Sequence, residues 1–186
     1  MDETLSAQHG KKTAVFAGGC FWGVQGVFQH VRGVTSATSG YAGGSVANPY
    51  YELVSSGSTG HAESVKVVYD SSQITYGTLL KIFFSVAHDP TQKDRQGPDM
   101  GSQYRSAIFY TSEEQKKVAE SYIAQIDAAR VYDRKIATQV AALTAFYQAE
   151  DYHQDFLKKH PDDPYIQFND LPKIERLKRS YPELYR

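Results

Sequence analysis

The sequence predicts an α+β fold, a mostly antiparallel or mixed sheet with helices packed on it. Strand-like alternation recurs at residues 34–41, 63–69 and 104–110, after a short apolar run at 12–17 that reads as a buried strand. Helical spacing lies between these segments. The order is strand, helix, strand, strand, helix, strand, with hairpin-like and crossover connections mixed. At 186 residues the chain fits one domain of ordinary size with a substantial core.

Residues 1–11 are polar and read as a flexible N-terminus to a domain spanning 12–160. After the first strand, Val24, Val27, Phe28 and Val31 stand at i, i+3, i+4 and i+7, the stripe of an amphipathic helix. Leu79, Leu80, Phe83, Phe84, Val86 and Ala87 make a second amphipathic stretch, closed by Asp89-Pro90. A loop rich in Asp, Pro and Gly runs from Ala87 to Gly101, and a long loop in a compact domain is often functional. Thr111-Ser112-Glu113-Glu114 reads as a capping box opening a helix with Val118, Tyr122, Ile123 and Ile126 on its apolar face. A strand near 136–142 and a short helix near 149–159 follow. Residues 161–186, with three prolines after Pro161, read as coil wrapping the same domain, with a short helix near 174–180.

Cys20, the only cysteine, stands in Gly18-Gly19-Cys20-Phe21-Trp22-Gly23, at a glycine-flexed turn between the first strand and the first helix. Free N–H groups and the positive end of the dipole at a helix start favour an anion. A thiol there is expected to have its thiolate, the nucleophilic form, stabilised. The glycines are expected to let the chain turn and a substrate reach the sulfur. A lone cysteine is more often a small buried hydrophobe. Here the only tryptophan stands two residues away, which suits a pocket with a stacking wall.

Twenty basic and twenty-one acidic residues leave the charge near neutral, so nothing marks a nucleic-acid or anionic-membrane partner. No apolar run approaches 18 residues and no signal-peptide pattern is present. With one cysteine there is no internal disulfide and no zinc cluster, and the six histidines lack metal-ligand spacing. A monomer in a reducing cytoplasm is expected. Of 14 tyrosines, those in Gly- and Pro-rich loops are candidate hydrogen-bond donors.

Gly-Cys-Phe-Trp-Gly at 19–23 resembles the signature of the A-type peptide methionine sulfoxide reductases. Four further blocks follow in that family's order: Gly40–Gly44 with Asn48-Pro49-Tyr50-Tyr51-Glu52, Gly60-His61-Ala62-Glu63, Asp99-Met100-Gly101-Ser102-Gln103-Tyr104-Arg105-Ser106, and Ala149-Glu150-Asp151-Tyr152-His153-Gln154. The blocks span about residues 12 to 160. The resemblance implies a two-layer ferredoxin-like core with extra strands and a long irregular C-terminal segment. It implies thiol-dependent reduction of methionine S-sulfoxide, free or in peptides and proteins, without a cofactor.

Such a reaction needs a nucleophilic thiol, a proton donor for the oxygen, and an apolar pocket for the methyl group. Cys20 supplies the first. Glu63, at the head of a strand where burial would raise its pKa, falls on the family's catalytic glutamate and is the candidate acid. By resemblance Tyr51 and Tyr104 bind the sulfoxide oxygen, Asp99 holds the network or the substrate, and Phe21 and Trp22 wall the methyl pocket. Tyr50 fills a slot where the family usually has a small polar residue, and alignment of the block favours Tyr51 as the inward phenol. His61 and His153 read as structural.

Many members carry further cysteines that resolve the oxidised nucleophile. This chain has none, so its cycle is expected to pass through a Cys20 sulfenic acid reduced by an outside thiol, glutathione with or without a glutaredoxin being favoured over thioredoxin. Two rival readings remain: a hydrolase or acyltransferase using Cys20 with His153, and a non-catalytic domain that binds methionine-like side chains.

Overall fold

In the computed structural model of the chain, which describes residues 10–186, strand β1 (Lys11–Gly18) organises the sheet. Its alternate residues serve both faces, Ala14 and Phe16 one and Val15 and Ala17 the other, and all four are buried. Chain reversals by α1 (Phe21–Gln29), β2 (Val34–Ala42), α2 (Tyr51–Ser55) and β3 (Ala62–Asp70) bring β3 back antiparallel between β1 and β2. Helix α3 (Tyr76–Ile82), extended by a π turn at Phe83–Ala87, then leads to a two-residue hairpin, β4 (Arg95–Gln96) and β5 (Asp99–Met100). Strand β6 (Ser106–Tyr110) pairs antiparallel with the end of β1, and α4 (Glu113–Ala128) crosses to β7 (Gln139–Ala142), parallel to β6. Strand β8 (Phe146–Gln148) closes the far edge on β2.

The six-stranded order β7-β6-β1-β3-β2-β8 contains β6-β1-β3-β2 at its centre, the order of a ferredoxin-like βαββαβ unit. The α+β expectation holds. Phe16 joins the layers, stacking on Phe28 of α1 at 5.3 Å and on Phe83 after α3 at 4.9 Å between ring centroids. A smaller apolar cluster of Val15, Ala17, Ala42, Ala62, Ala107 and Phe109 covers the opposite face.

Several sequence expectations are corrected. The flexible N-terminus does not extend to residue 11. Gly10 N–H donates to Ser71 Oγ at 3.1 Å and Lys11 is in register with Asp70, while residues 1–9 lie outside those described. The capping residue of α4 is Ser112, which accepts from Gln115 N–H at 3.2 Å, and Gln115 rather than Glu114 reaches back, to Thr111 N–H at 2.9 Å. The helix expected at 149–159 is a 3-10 turn at Asp151–His153 and a separate helix α5 (Phe156–Lys159), broken where Asp155 takes φ 58°. The side chain of Gln154 pairs with both the N–H and the C=O of Ser39, and these tertiary bonds override local helix formation.

The tail is more regular than the coil expected of it. A π turn at Ile166–Asp170 runs into helix α6 (Leu171–Ser180), with Ile166, Ile174 and Leu177 buried. Pro172 lies in the first turn of α6, where a missing N–H costs nothing, so it does not break the helix. The last residues return to the end of α1 through Arg32 N–H to Leu184 O and Arg186 N–H to His30 O. Among the described residues no helix is long and apolar enough to cross a membrane.

Candidate active site

Gly18 ends β1 and Gly19 turns the chain with φ 88°, a conformation that side chains rarely adopt. The space around these glycines is used by the protein itself rather than left for a substrate. A Cβ at Gly19 would lie 2.6 Å from Gln96, one at Gly18 3.0 Å from His88, and one at Gly23 2.8 Å from the Asp170 carboxyl carbon. The turn places Cys20 as the N-cap of α1, half-buried.

The period of two that sends Val65, Val67 and Tyr69 of β3 to the helix layer sends Glu63 there as well. Glu63 is in register with Tyr41, beneath the start of α1, and is 2 % exposed. Its Oε1 accepts the N–H of Phe21, the residue after Cys20, at 3.1 Å. Burial pushes its carboxyl up to about 8, against that hydrogen bond and with help from the charge of Asp99.

This changes the expectation for Cys20. The Phe21 N–H that would have held a thiolate is taken by Glu63. Burial first, then the charges of Glu63 and Asp170, raise the thiol well above its ordinary range, and the backbone N–H of Trp22 offsets them only in part. At neutral pH the resting sulfur is a thiol.

Tyr51 opens α2, and its N–H donates to Glu150 Oε2 at 3.0 Å. Glu150 Oε1 accepts from the buried Tyr41 hydroxyl at 2.9 Å. Burial acts against this carboxylate, but those donors and its own backbone N–H hold it below the usual range. Tyr104 stands in a 3-10 turn, Ser102–Tyr104, tied to α2 by Gln103 Nε2 donating to Ser55 O at 3.2 Å. Both phenols are half-buried and raised, by burial first and then by acidic groups that include Glu63 and Asp99. Tyr50, by contrast, is 54 % exposed, which leaves Tyr51 as the inward phenol of the pair.

Asp99 of β5 accepts the hydroxyl of Tyr165, whose ring meets the indole of Trp22 edge-on at 5.8 Å. Phe21 is buried against Tyr41 and His153, while Trp22 is half-buried and stacks on Phe156 at 3.7 Å. Every residue expected at the site thus converges on the start of α1. Sequence reasoning missed four groups that also meet there: Glu150, Phe156, Tyr165 and Asp170. Asp170 is fully buried, held by Lys173 at 3.3 Å, and raised by burial to about 6. Gly23 in the first turn of a helix was the available signal, since a helical glycine often marks a close approach.

His61 holds a loop, accepting Gly44 N–H at Nδ1 (3.0 Å) and donating from Nε2 to Val46 O (2.7 Å). His153 accepts Trp22 Nε1–H at Nδ1, and its Nε2 has no hydrogen-bond partner among the described residues. No bond links it to Cys20, so the Cys-His dyad of a hydrolase is absent among the described residues. A cavity of about 740 Å³ lined by His88, Gln96, Lys173 and Arg176 lies elsewhere and touches neither Cys20 nor Glu63.

The family model described as peptide methionine sulfoxide reductase matches residues 12–184. A peptide methionine sulfoxide reductase MsrA 2 of Mesorhizobium japonicum is 57% identical over 185 residues, covering 100% of this chain and 94% of the relative. One of the same name from Synechocystis is 54% identical over 174 residues, covering 94% and 81%. Among solved structures, methionine sulfoxide reductase A of Corynebacterium diphtheriae superposes with a TM-score of 0.72 at 37% identity, covering 82% of this chain and 76% of that one. Reduced Mxr1 from Saccharomyces cerevisiae gives 0.70 at 33% identity, with 82% and 87% covered.

Proposed function

The chain belongs to the A-type peptide methionine sulfoxide reductases, and from that premise we propose how its own residues reduce methionine S-sulfoxide to methionine. Phe21 and Trp22 take the methyl group. The sulfoxide oxygen is bound by the hydroxyls of Tyr51 and Tyr104 and by the protonated carboxyl of Glu63, with Asp99 holding the surrounding network through Tyr165.

Cys20 Sγ attacks the sulfoxide sulfur while Glu63 gives its proton to the oxygen. The Cys20 thiol proton replaces the one that Glu63 gave up. In the adduct so formed the S–O bond and the new Sγ–S bond then break as an Sγ–O bond forms: the methionine sulfur keeps the electron pair of the Sγ–S bond, and the oxygen stays on Cys20 as a sulfenic acid. The substrate sulfur gains two electrons and Cys20 loses two, while the hydrogen from Glu63 ends as the O–H of the product and the thiol hydrogen restores the Glu63 carboxyl. A first external thiol then attacks the Cys20 sulfur and expels water. A second releases the disulfide and restores the thiol.

The observation that carries this reading is the buried Glu63 carboxyl on the N–H beside the nucleophile, neutral below about pH 8. It supplies a proton at the place where oxygen must leave, and it explains why the sulfur rests as a thiol until a substrate drains that proton away. With one cysteine in the chain, a small thiol such as glutathione, alone or with a glutaredoxin, suits the recycling step better than thioredoxin. The reading extends to repair of oxidised proteins in a reducing cytoplasm. It is tested by incubating the protein and Cys20→Ser with dithiothreitol and each resolved sulfoxide epimer. Methionine should form from the S epimer and the unsubstituted protein alone; turnover by the serine variant, or of the R epimer, would sink it.

A further inference from the structure

The recycling step needs an outside thiol, and the surroundings of the sulfur offer an anionic thiol no counter-charge. Beyond burial, the groups that act on the Cys20 thiol are the carboxyls of Glu63, Asp170 and Asp99. A thiol that carries carboxylates therefore needs cations close by. The cavity of about 740 Å³ supplies them, with Lys173 and Arg176 of α6 and Arg134 of the loop after α4 in its lining. Its volume lies within the range of small-ligand sites. Lys173 is committed to the buried Asp170 at 3.3 Å. The side chains of Arg134 and Arg176 have no hydrogen bond or ion pair among the described residues, and neither has that of Asp133, which also lines the cavity. Asp89, the other acid of the lining, is already satisfied, because the N–H and the hydroxyl of Thr91 both donate to its Oδ1.

The cavity does not touch Cys20, yet its lining backs onto the turn that carries it. A Cβ at Gly18 would meet His88, one at Gly19 would meet Gln96, and one at Gly23 would lie 2.9 Å from Lys173 Nζ. Gln96 is fixed there by the backbone of Asp89, whose N–H it accepts at 3.0 Å and whose C=O it reaches with Nε2 at 2.9 Å. Across the hairpin, Gln96 is in register with Asp99 of the site. One residue, about 3.8 Å between α-carbons, separates Gly19 from Cys20, whereas an extended tripeptide spans about 10 Å. A peptide seated in the cavity can therefore reach the sulfur past the edge of Gln96.

We propose that this cavity binds the recycling thiol, a γ-glutamyl tripeptide of the glutathione class: Arg134 and Arg176 take its two carboxylates, Asp133 takes its α-ammonium, and its thiol extends past Gln96 to Cys20. The inference rests on the reading of Cys20 as the residue that becomes a sulfenic acid. The match is group for group, two carboxylates and one ammonium against two uncommitted arginines and one uncommitted aspartate. Arginine suits the task because its planar fork pairs with a carboxylate through two parallel hydrogen bonds. The peptide thiol sulfur bonds to Cys20 Sγ as the Sγ–O bond breaks, and the oxygen leaves as water with the thiol hydrogen. A second tripeptide attacks the mixed disulfide, carries off the oxidised peptide and leaves Cys20 reduced. A neutral thiol such as dithiothreitol gains nothing from the cavity and reaches Cys20 without it.

Arg134→Gln and Arg176→Gln each remove one charge from an exposed side chain, so the fold should hold. With methionine S-sulfoxide saturating, KM for glutathione should rise about three-fold in each variant and about ten-fold in the double variant, the size of solvated ion pairs. Added salt should raise that KM in the unsubstituted protein and leave the double variant unmoved. Single-turnover formation of methionine and turnover driven by dithiothreitol should be unchanged in all three variants. The proposal is overturned by an unchanged glutathione KM in the double variant, by an equal loss with dithiothreitol, or by an unsubstituted protein that turns over with dithiothreitol and not with glutathione. Calorimetry with S-methylglutathione, which keeps every charge and cannot react, reads the cavity without turnover. It should bind the unsubstituted protein and bind the double variant about ten-fold more weakly; no binding, or equal binding to both, also overturns the proposal. Failure of the unsubstituted protein to reduce the sulfoxide with dithiothreitol would refute the function proposed above, and calorimetry would still decide whether the cavity takes the peptide.

Discussion

Replacing Glu63 by Gln removes a proton and little else. The glutamine carbonyl can still accept Phe21 N–H, as the carboxyl oxygen does at 3.1 Å, and the shape beneath α1 is kept. Two consequences of opposite sign follow. Loss of proton delivery should slow the chemical step by about 10²–10⁴-fold, roughly 3–5 kcal/mol of barrier. The second concerns stability. The folded carboxyl has its pKa raised from 4.5 to about 8, so between these values the folded protein holds a proton that the unfolded chain has lost. Stability therefore falls as pH rises through that window, by roughly 3 kcal/mol at pH 7. A neutral glutamine escapes this penalty. Glu63→Gln should melt at a higher temperature than its parent at pH 7 and above, and the gap should narrow as pH falls toward 4.5. The assay is rapid-quench single turnover with methionine S-sulfoxide from pH 6 to 10, beside thermal melts over the same range. The parent rate should be level below about 8 and fall above it, and the variant should be slow at every pH. An unchanged single-turnover rate, or a variant less stable than its parent at pH 8, would refute the reasoning and move the acid role to Tyr51 or Tyr104.

Two further predictions concern the first turn of α1. Gly23→Ala would set a Cβ 2.8 Å from the Asp170 carboxyl carbon and 2.9 Å from Lys173 Nζ, so it should displace the buried pair and cost about 1–3 kcal/mol of stability by chemical denaturation, with no loss if that segment moves freely. Because burial, Glu63 and Asp170 raise the Cys20 thiol, alkylation by iodoacetamide should be slow at pH 7 and still climbing at pH 9, and a plateau below pH 7 would show a thiolate that these groups do not permit.

The strand pattern was legible because period two is written directly in residues such as Val65 and Val67. The same period also placed Glu63 on the helix face, so its burial follows from the register once the face is known. What residue type could not disclose was the price of that position to Cys20. A helix start reads as a thiolate site only while its N–H groups are free, and Glu63 arrives from 42 residues away in sequence to claim that of Phe21. The C-terminal segment was harder. Pro172 looks like a breaker and is tolerated in a first turn, and Asp155 and Gln154 end a promising helix through a left-handed residue and tertiary bonds to Ser39. Asp170, a charged residue in an unpatterned tail, gives no sign in sequence that it will be fully buried against α1.

The central claim is that a single sulfur takes the oxygen and holds it. Its most direct measurement is the yield of methionine when the protein meets excess racemic methionine sulfoxide with no thiol present, dimedone being added afterward for mass spectrometry. One methionine per chain should form, from the S epimer, and one dimedone should be found on Cys20, the only cysteine able to carry it. A second methionine per chain, consumption of the R epimer, or oxidised protein found solely as a Cys20–Cys20 dimer would contradict the claim.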